Sequence, residues 1–330
     1  MELKDYQQEV LDDLDVFLDC LKENTSPSKA FSEYWQSKGV KLPLQANRYL
    51  QAYKDNIKGV ANVTLKVPTA GGKTFIACNA INNIFNHFVD LSPKVVTWFV
   101  ASDTILKQTY KNLSDVNHPY RQKLNSLFNN RVCVVDKQAA LMGNGISPIE
   151  LQEQLTIFVL SIQSFATKKN KDGRKAFQEN QFLSEHTKNF IGSETVNGAD
   201  ETSLINLLAH LNPVVIIDES HHFGSDIRVD VLNDIRPSFI LDLTATPRQE
   251  SNIISFVNAI KLKQNNMVKL PVIVYNKKNA DDVIASAINF RNTLEKKAID
   301  LEKQGGRYIR PIVLFQAESK GKEDNVTFEK

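Results

Sequence analysis

Three short segments of the chain contain the residue types that proteins use to handle phosphate, metal ions and water. They are PTAGGKT at Pro68–Thr74, VVIIDESHH at Val214–His222 and LTATPR at Leu243–Arg248. Each one follows, or begins with, an apolar run of strand length. Alone, each segment is a weak indication. In this order they predict a phosphate-binding loop, a paired-acid site for Mg²⁺ and water, and a Thr-Ala-Thr coupling segment, which are the parts of an ATPase driven by nucleic acid.

The first segment has the composition of a phosphate-binding loop. A loop of small residues that leaves a strand and opens a helix presents its backbone N–H groups at the positive end of the helix dipole. Lys73 would reach the β- and γ-phosphates, and Thr74 would place its hydroxyl on Mg²⁺. The alternative is a Gly-Gly-Lys turn without a ligand. The predicted nucleotide-binding residues of the loop are Thr69, Ala70, Gly71, Gly72, Lys73 and Thr74.

Two acidic residues, Asp218 and Glu219, directly follow four aliphatic residues. This position places them at the carboxyl end of a buried strand, where α/β sheets bind ligands. One carboxylate can hold Mg²⁺ while its neighbour orients and deprotonates the attacking water. We predict Asp218 for the metal and Glu219 for the water, with Lys73 as the third catalytic residue. The alternative is a strand-end cluster of polar residues without a ligand.

His221 and His222 raise the question of a bound zinc ion. Adjacent histidines on a turn seldom point at one ion, and no cysteine lies near them. We therefore predict that His221 lies between the acid pair and Thr244 or Thr246 and relays the state of the nucleotide. His222 is equally well interpreted as a surface residue.

Composition sets the remaining limits. The chain has 330 residues, 42% of them hydrophobic and 24% charged, with a formal net charge of +2. These values are ordinary for a soluble globular protein and give no global sign of nucleic-acid binding, although a local basic groove is compatible with them. Cys20, Cys78 and Cys133 have no metal-ligand spacing and indicate reduced thiols. No apolar segment is long enough to span a bilayer, so we expect a cytoplasmic protein.

Apolar runs alternate with helical patterns along most of the chain. This alternation predicts a mainly parallel sheet with helices on both faces. Polar loops are expected at 168–175 and 191–202, and a break at 24–29. Strands are predicted at 63–67, 95–100, 132–135, 156–160, 214–217, 239–243 and 311–315, and helices at the N-terminus and at 31–37, 45–56, 73–88, 103–112 and 280–303.

The motifs resemble those of the superfamily 2 DEAD/DEAH-box helicases, and most closely the restriction (motor) subunit of type III restriction enzymes and its stand-alone relatives. Besides the three segments, the resemblance rests on Tyr6-Gln7, WFVASDTILKQT at 98–109, HPYRQKL at 118–124, VLSIQSF at 159–165, MVKLPVIV at 267–274 and RPIVLFQAES at 310–319. Val67 stands where the strict phosphate-loop pattern has glycine, and superfamily 2 helicases relax that position. Ser220 replaces the alanine of DEAH.

The resemblance implies a RecA-like P-loop NTPase domain that uses ATP and Mg²⁺. It implies that Gln7 reads the adenine edge and that Ser102, Gln163 and Ser164 contact nucleic acid, with double-stranded DNA as the expected partner. A DNA methyltransferase subunit is a second implied partner, and no membrane is implied. The activity implied is ATP hydrolysis coupled to movement on duplex DNA, in a restriction or phage-defence system.

The same resemblance implies a division of the chain into four parts. Residues 1–60 are expected to form an N-terminal helical segment with the adenine-reading motif, and 61–275 the first RecA-like ATPase domain. Residues 276–308 are expected to form a long helix or linker, and 309–330 the truncated start of a second RecA-like domain. Because the arginine finger of such motors comes from the second domain, we expect these residues to hydrolyse ATP only weakly.

Two other functions fit the same motifs. An RNA or single-strand helicase would share the ATPase site, and charge does not distinguish it from a duplex translocase. A nucleotide-dependent nucleic-acid-binding module with little hydrolysis is the alternative from a different class. The basic loop at 168–175 is better interpreted as a solvated surface loop than as a contact with a nucleic-acid strand.

Overall fold

The structure is a computed structural model that describes residues 1–24, 26–44, 47, 49–165, 174–188, 194–218, 225–267 and 280–314. The chain divides into two compact units, Met1–Lys269 and Leu270–Lys330. The predicted division into four parts stays a prediction.

A single parallel sheet forms the centre of the first unit. Among the described residues, seven strands lie in the order β3-β4-β2-β5-β6-β1-β7, and every adjacent pair is parallel. The predicted RecA-like α/β fold is therefore confirmed. The strands are β1 Ala61–Lys66, β2 Val95–Val100, β3 Val132–Asp136, β4 Leu155–Ser161, β5 Val214–Asp218, β6 Phe239–Thr244 and β7 Ile253–Phe256.

Helices cover both faces of this sheet, which explains why its strands are continuous apolar runs. Strands β2, β4 and β6 are buried at every residue. One hydrophobic cluster joins the sheet to α1–α5, and a second joins it to α6, α7, α9 and α10. The helices are α1 Asp5–Glu23, α2 Pro27–Ser37, α3 Lys73–His87, α4 Asp103–Ser114, α5 Pro119–Leu127, α6 Lys137–Leu141, α7 Pro148–Glu153, α8 Ser184–Thr187, α9 Leu204–Leu211, α10 Ser225–Ile235, α11 Ala259–Gln264 and α12 Ala280–Lys303, with 3₁₀ turns at Ile162–Phe165 and Gln181–Leu183.

The predicted strands of the first unit agree with these bounds apart from small shifts at their ends, and β7 is an additional strand that the sequence did not suggest. β7 pairs with β1 and lies at the edge of the sheet. Helix α2 covers it, because the Tyr34 hydroxyl donates to the Ile254 carbonyl and the Trp35 indole N–H donates to the Ile253 carbonyl at 3.2 Å. These bonds satisfy carbonyls that an edge strand would otherwise expose. The predicted break at 24–29 is shorter than expected, since Ser26 caps α2.

The predicted helix at 45–56 is wrong. Residues 45, 46 and 48 lie outside the described part, and 49–56 form a turn, bends and chain without regular secondary structure. The reason is a tertiary contact with Asn252, whose side chain accepts from Lys54 N at 2.7 Å and donates to Lys54 O at 2.8 Å. The backbone groups of Lys54 are thereby used outside any helix.

The second unit contains α12, which spans the predicted residues. Gly305, with φ of 84°, ends the helix, and the Gly306 N–H donates to the Leu301 carbonyl at 2.9 Å. The predicted strand that begins at Pro311 is not formed, because residues 311–314 have no strand conformation, and Phe315 lies outside the described residues. A strand is stabilised by hydrogen bonds to a neighbour, and this segment has no strand partner among the described residues.

Candidate nucleotide site and nucleic-acid edge

The phosphate loop connects the end of β1 to the start of α3, as predicted. Ala70 and Gly72 both have left-handed conformations, with φ of 67° and 73°. The Gly71 N–H donates to the Pro68 carbonyl at 3.0 Å, which closes a tight turn. Gly72 then begins the helix, since its carbonyl accepts from the N–H groups of both Phe75 and Ile76. The first turn of α3 therefore presents N–H groups that have no partner within the helix.

Two side chains from the start of α1 hold this loop. The Tyr6 hydroxyl donates to the Gly71 carbonyl at 2.8 Å, and the Gln7 amide donates to the same carbonyl at 3.2 Å. The Gln7 amide oxygen also accepts from the Lys4 N–H at 3.0 Å. Both Tyr6 and Gln7 are only 1% exposed. The predicted adenine-reading residue thus lies against the phosphate loop, although more than 60 residues separate the two in sequence.

The two glycines of the loop are required by space as well as by conformation. A Cβ atom on Gly71 would lie 2.6 Å from Val67 Cγ1, and one on Gly72 would lie 2.4 Å from Gln7 Nε2. At either position a side chain would force its neighbour to move, and at Gly72 this neighbour is the buried Gln7 amide that is hydrogen-bonded to Gly71 and Lys4. Gly72 therefore allows α1 and the loop to approach each other closely, and Gly71 allows the loop to fold back on Val67.

The predicted metal residue Asp218 and the predicted coupling residue Thr244 lie at the ends of β5 and β6, and β6 is the neighbour of β1. Asp218 is the last residue of β5 and pairs with Leu243, and Thr244 is the last residue of β6 and pairs with Lys66. The Thr244 carbonyl accepts from the Val67 N–H at 3.1 Å, and its hydroxyl accepts from the Thr246 N–H at 3.2 Å. The ends of β5, β6 and β1 therefore form one continuous edge.

Four residues of the second motif lie outside the described residues: Glu219, Ser220, His221 and His222. The predicted roles of Glu219 in water activation and of His221 in coupling stay predictions. Asp218 is half-buried and Thr246 is exposed.

A tyrosine that sequence reasoning did not assign to the site lies beside it. The Tyr120 ring packs against Phe75, one residue after Thr74, with centroids 6.1 Å apart and planes 29° apart. Burial raises the pKa of Tyr120, and the neighbouring Cys78 and Asp218 raise it further. The signal was present in HPYRQKL, which resembles the type III group, but no chemistry in the sequence linked it to the acid pair.

Arg121 of the same helix explains how Tyr120 is positioned. Its guanidinium donates to the Leu113 carbonyl at 3.1 Å and to the Val132 carbonyl at 2.7 Å. It thereby ties α5 to the end of α4 and the start of β3. Burial lowers the pKa of this guanidinium.

The predicted nucleic-acid residues lie on the other part of the carboxyl edge. Ser102 caps α4 directly after β2 and is exposed, and Gln163 and Ser164 lie in the 3₁₀ turn after β4, which pairs with β2. Gln163 is exposed and Ser164 is half-buried. Lys137, which follows β3, donates from Nζ to the Ser164 carbonyl at 2.8 Å. The sequence analysis missed this lysine, because nothing in the sequence indicates that it lies beside Ser164.

Two sets of residues result. The phosphate half is the carboxyl end of β1, β6 and β5, with Thr69–Thr74, Asp218 and Thr244. The open half is the carboxyl end of β2, β4 and β3, with Ser102, Gln163, Ser164 and Lys137. The structure brings the site residues together within each half, and the sheet order makes the two halves neighbours at β5 and β2.

Other site chemistries find no support in the described part of the chain. No group of three or more His, Cys, Asp or Glu side chains there could hold a metal ion. All three cysteines are free, and burial raises the pKa of the Cys78 thiol, which keeps it protonated. No helix among the described residues has the length and apolar character needed to cross a membrane.

Comparison with known proteins gives one family match. The family described as "Type III restriction enzyme, res subunit" matches residues 1–249. Among solved structures, a nuclease-deletion mutant of the Type ISP restriction-modification enzyme LlaGI, in complex with a DNA substrate mimic, is similar at 15% identity with a TM-score of 0.42. That similarity covers 92% of this chain and 24% of the LlaGI chain. No curated protein matches the sequence significantly.

Proposed function

Because the chain belongs to the family of type III restriction-enzyme res subunits, which are of the superfamily 2 helicase type, we propose that it is the ATP-binding motor domain of a translocase on duplex DNA. ATP hydrolysis would drive its movement, in a restriction or phage-defence system. A DNA methyltransferase subunit is the proposed protein partner. We place the protein in the cytoplasm, consistent with its three free cysteines.

One observation carries the nucleotide part of this proposal. A strand, a loop with left-handed residues at Ala70 and Gly72, and a helix that begins at Lys73 follow each other without interruption. This arrangement directs backbone N–H groups and the positive helix end toward a common point, where an anion is stabilised. Lys73 starts the same helix and supplies the side-chain cation for the phosphates.

The residues present fit a magnesium ion held with the nucleotide. Thr74 lies in the first turn of α3, and Asp218 ends β5, so a hydroxyl and a carboxylate lie on the same edge of the sheet. Hydroxyl and carboxylate oxygens are ligands that Mg²⁺ prefers. When bound, the ion would neutralise charge on the phosphates. Asp218 and Thr74 are the residues proposed to hold it, and Glu219 is proposed to accept the proton of the attacking water.

Gln7 is the residue proposed to select adenine. An amide offers two N–H groups and two acceptor positions. The contacts with Gly71 and Lys4 use one of each, which leaves the donor–acceptor pair that an adenine edge requires.

The nucleotide proposal is tested by equilibrium binding of ATP, ADP and GTP to this chain. We expect Mg²⁺-dependent binding of ATP and ADP and weaker binding of GTP. Asp218→Asn should weaken the Mg²⁺ dependence. The same affinity for GTP as for ATP would contradict the adenine-reading role, and no binding of any nucleotide would contradict the ATPase assignment.

The substrate is tested by comparing duplex DNA, single-stranded DNA and RNA of one sequence. Affinity is measured with and without a non-hydrolysable ATP analogue, and turnover is measured in long incubations because we expect it to be low. Tighter binding of the duplex, with some stimulation of turnover, is the expected result. Preference for RNA or single strands would favour the helicase alternative, and tight duplex binding without any turnover would favour the nucleotide-dependent binding module.

The role of Glu219 has its own test. Glu219→Gln keeps the shape of the side chain but cannot accept a proton, so ATP should still bind while the low turnover of this chain falls to the background rate. Unchanged turnover would show that another group activates the water.

A further inference from the structure

We propose that Tyr6 is a positioning residue that sets the orientation of the phosphate loop through its hydrogen bond to the Gly71 carbonyl. This inference deepens the proposed function and rests on it. It concerns binding of the phosphate groups, whereas Gln7 is proposed to serve the base.

The contact is short and shielded from water. The Tyr6 hydroxyl lies 2.8 Å from the Gly71 carbonyl oxygen, closer than the Gln7 amide at 3.2 Å. Its ring is part of the hydrophobic core, with 1% of the residue exposed. Burial raises the pKa of Tyr6, so the hydroxyl stays protonated and remains a donor. The Tyr6 side chain is held by the hydrophobic core at its ring and by the Gly71 carbonyl at its hydroxyl, and it therefore anchors the loop at Gly71.

The planarity of the peptide bond transmits this anchor to the phosphate side. The Gly71 carbonyl and the Gly72 N–H belong to the same peptide plane, and in a trans peptide they point in opposite directions. Holding the carbonyl toward Tyr6 and Gln7 of α1 therefore turns the Gly72 N–H away from these two side chains. Without the anchor, rotation of this plane could direct a carbonyl oxygen at a phosphate, which is repulsive.

The glycines allow the anchor to work. A side chain on Gly72 would collide with the Gln7 amide, and the left-handed Gly72 places the turn directly before Lys73. The close approach thus depends on residues of both elements, Gly72 in the loop and Gln7 in α1. Tyr6 and Gln7 share the contact. Both donate to the Gly71 carbonyl, the Gln7 amide oxygen also accepts from the Lys4 N–H, and a hydrogen bond with the Gln7 side chain lowers the pKa of Tyr6 against the larger effect of burial.

The test compares Tyr6→Phe with Tyr34→Phe. Tyr34 is a matched control, because it is also 1% exposed and its hydroxyl also donates to a backbone carbonyl, that of Ile254 in β7. Each variant keeps its ring and loses the hydroxyl that donates to a buried backbone carbonyl. Affinity is measured for adenosine, ADP and ATP on the whole chain, and the folded fraction is checked by thermal unfolding.

We expect Tyr6→Phe to weaken ADP and ATP binding about 3- to 10-fold, the effect of one lost hydrogen bond, and to leave adenosine binding unchanged. Tyr34→Phe should leave all three affinities unchanged. It should lower thermal stability about as much as Tyr6→Phe does. A merely structural role of Tyr6 would change the three ligands equally.

Equal losses for adenosine and ADP in Tyr6→Phe, or no loss for ADP, would overturn the inference and leave the proposed function standing. Absence of ATP binding in the unmodified chain would overturn both. Amide hydrogen exchange without nucleotide gives an independent measurement: Tyr6→Phe should accelerate exchange in residues 70–73 and Tyr34→Phe should not. Unchanged exchange in Tyr6→Phe would contradict the anchoring role.

Discussion

The two side chains that hold the phosphate loop, Tyr6 and Gln7, are buried, whereas the residues of the open half are exposed or half-buried. Tyr6 and Gln7 are 1% exposed and hold the loop on one carbonyl. Ser102 and Gln163 are exposed, and each lies where a strand passes into a helix or turn. Both halves lie at the carboxyl ends of strands of the same parallel sheet. The sheet therefore fixes where the residues lie, and the elements packed next to it decide how exposed they are.

This difference matches the size of the proposed ligands. A nucleotide is small and is bound by groups that must be in place before it arrives, because ordering them afterwards would cost affinity. A nucleic acid is long and is contacted by many exposed groups, each of which contributes little. We therefore expect single substitutions in the phosphate half to have large effects and those in the open half to have small ones.

The largest expected effect comes from Lys73→Ala. Loss of a charge-assisted contact should weaken both ATP and ADP binding about 10- to 100-fold, measured by titration calorimetry. Lys66→Ala is the control, because Lys66 ends β1, the strand that leads into the same loop. Its Nζ atom lies over the rings of Tyr49 and Phe256, 5.1 and 5.9 Å from their centroids. Equal losses in the two variants would show that the effect is not specific to the phosphates.

Gly72→Ala should destabilise the fold more than Gly59→Ala, by about 1–3 kcal/mol. The two glycines have nearly the same φ, 73° and 76°, so the backbone strain of the substitution is shared. Only at Gly72 would the new Cβ meet Gln7, whereas Gly59 has open space. Chemical denaturation measures this difference in the free energy of unfolding. Equal losses of stability would mean that Gln7 of α1 does not limit the space at Gly72.

A change of nucleotide preference is expected from Gln7→Ala. Removal of the amide should reduce the preference for ATP over GTP by about tenfold, because the adenine edge loses its donor–acceptor partner. Competition binding with the two nucleotides measures this ratio. An unchanged ratio with weaker affinity for both would assign Gln7 to the loop alone.

The smallest effect is expected in the open half, from Lys137→Ala. If the lysine meets a phosphate of the nucleic acid, its removal should lower affinity a few-fold and reduce the slope of log affinity against log salt by about 1. Lys94→Ala is the control at the opposite, amino edge of the sheet, just before β2. Nucleotide affinity should not change in either variant, and a large nucleotide effect of Lys137→Ala would break the distinction between the halves.

The fold was largely predictable, because strands buried on both faces appear as continuous apolar runs. Prediction from local patterns failed where tertiary contacts compete with local conformational preference. Residues 49–56 looked helical, but Asn252 uses both backbone groups of Lys54. Strand β7 is short, and its place at the edge depends on pairing with β1 and on cover by Tyr34 and Trp35.

The sequence by itself indicated the chemistry that we propose for this protein. Local patterns such as PTAGGKT specify a turn and a helix start through the conformations that small residues allow, and these patterns depend on neighbours in the chain. Tertiary structure decided which distant residues act on them: Tyr6 and Gln7 on Gly71, Tyr120 beside Phe75, and Lys137 on Ser164. The physical reason is that such contacts depend on the order of strands in the sheet and on helix packing, and no spacing along the chain encodes either.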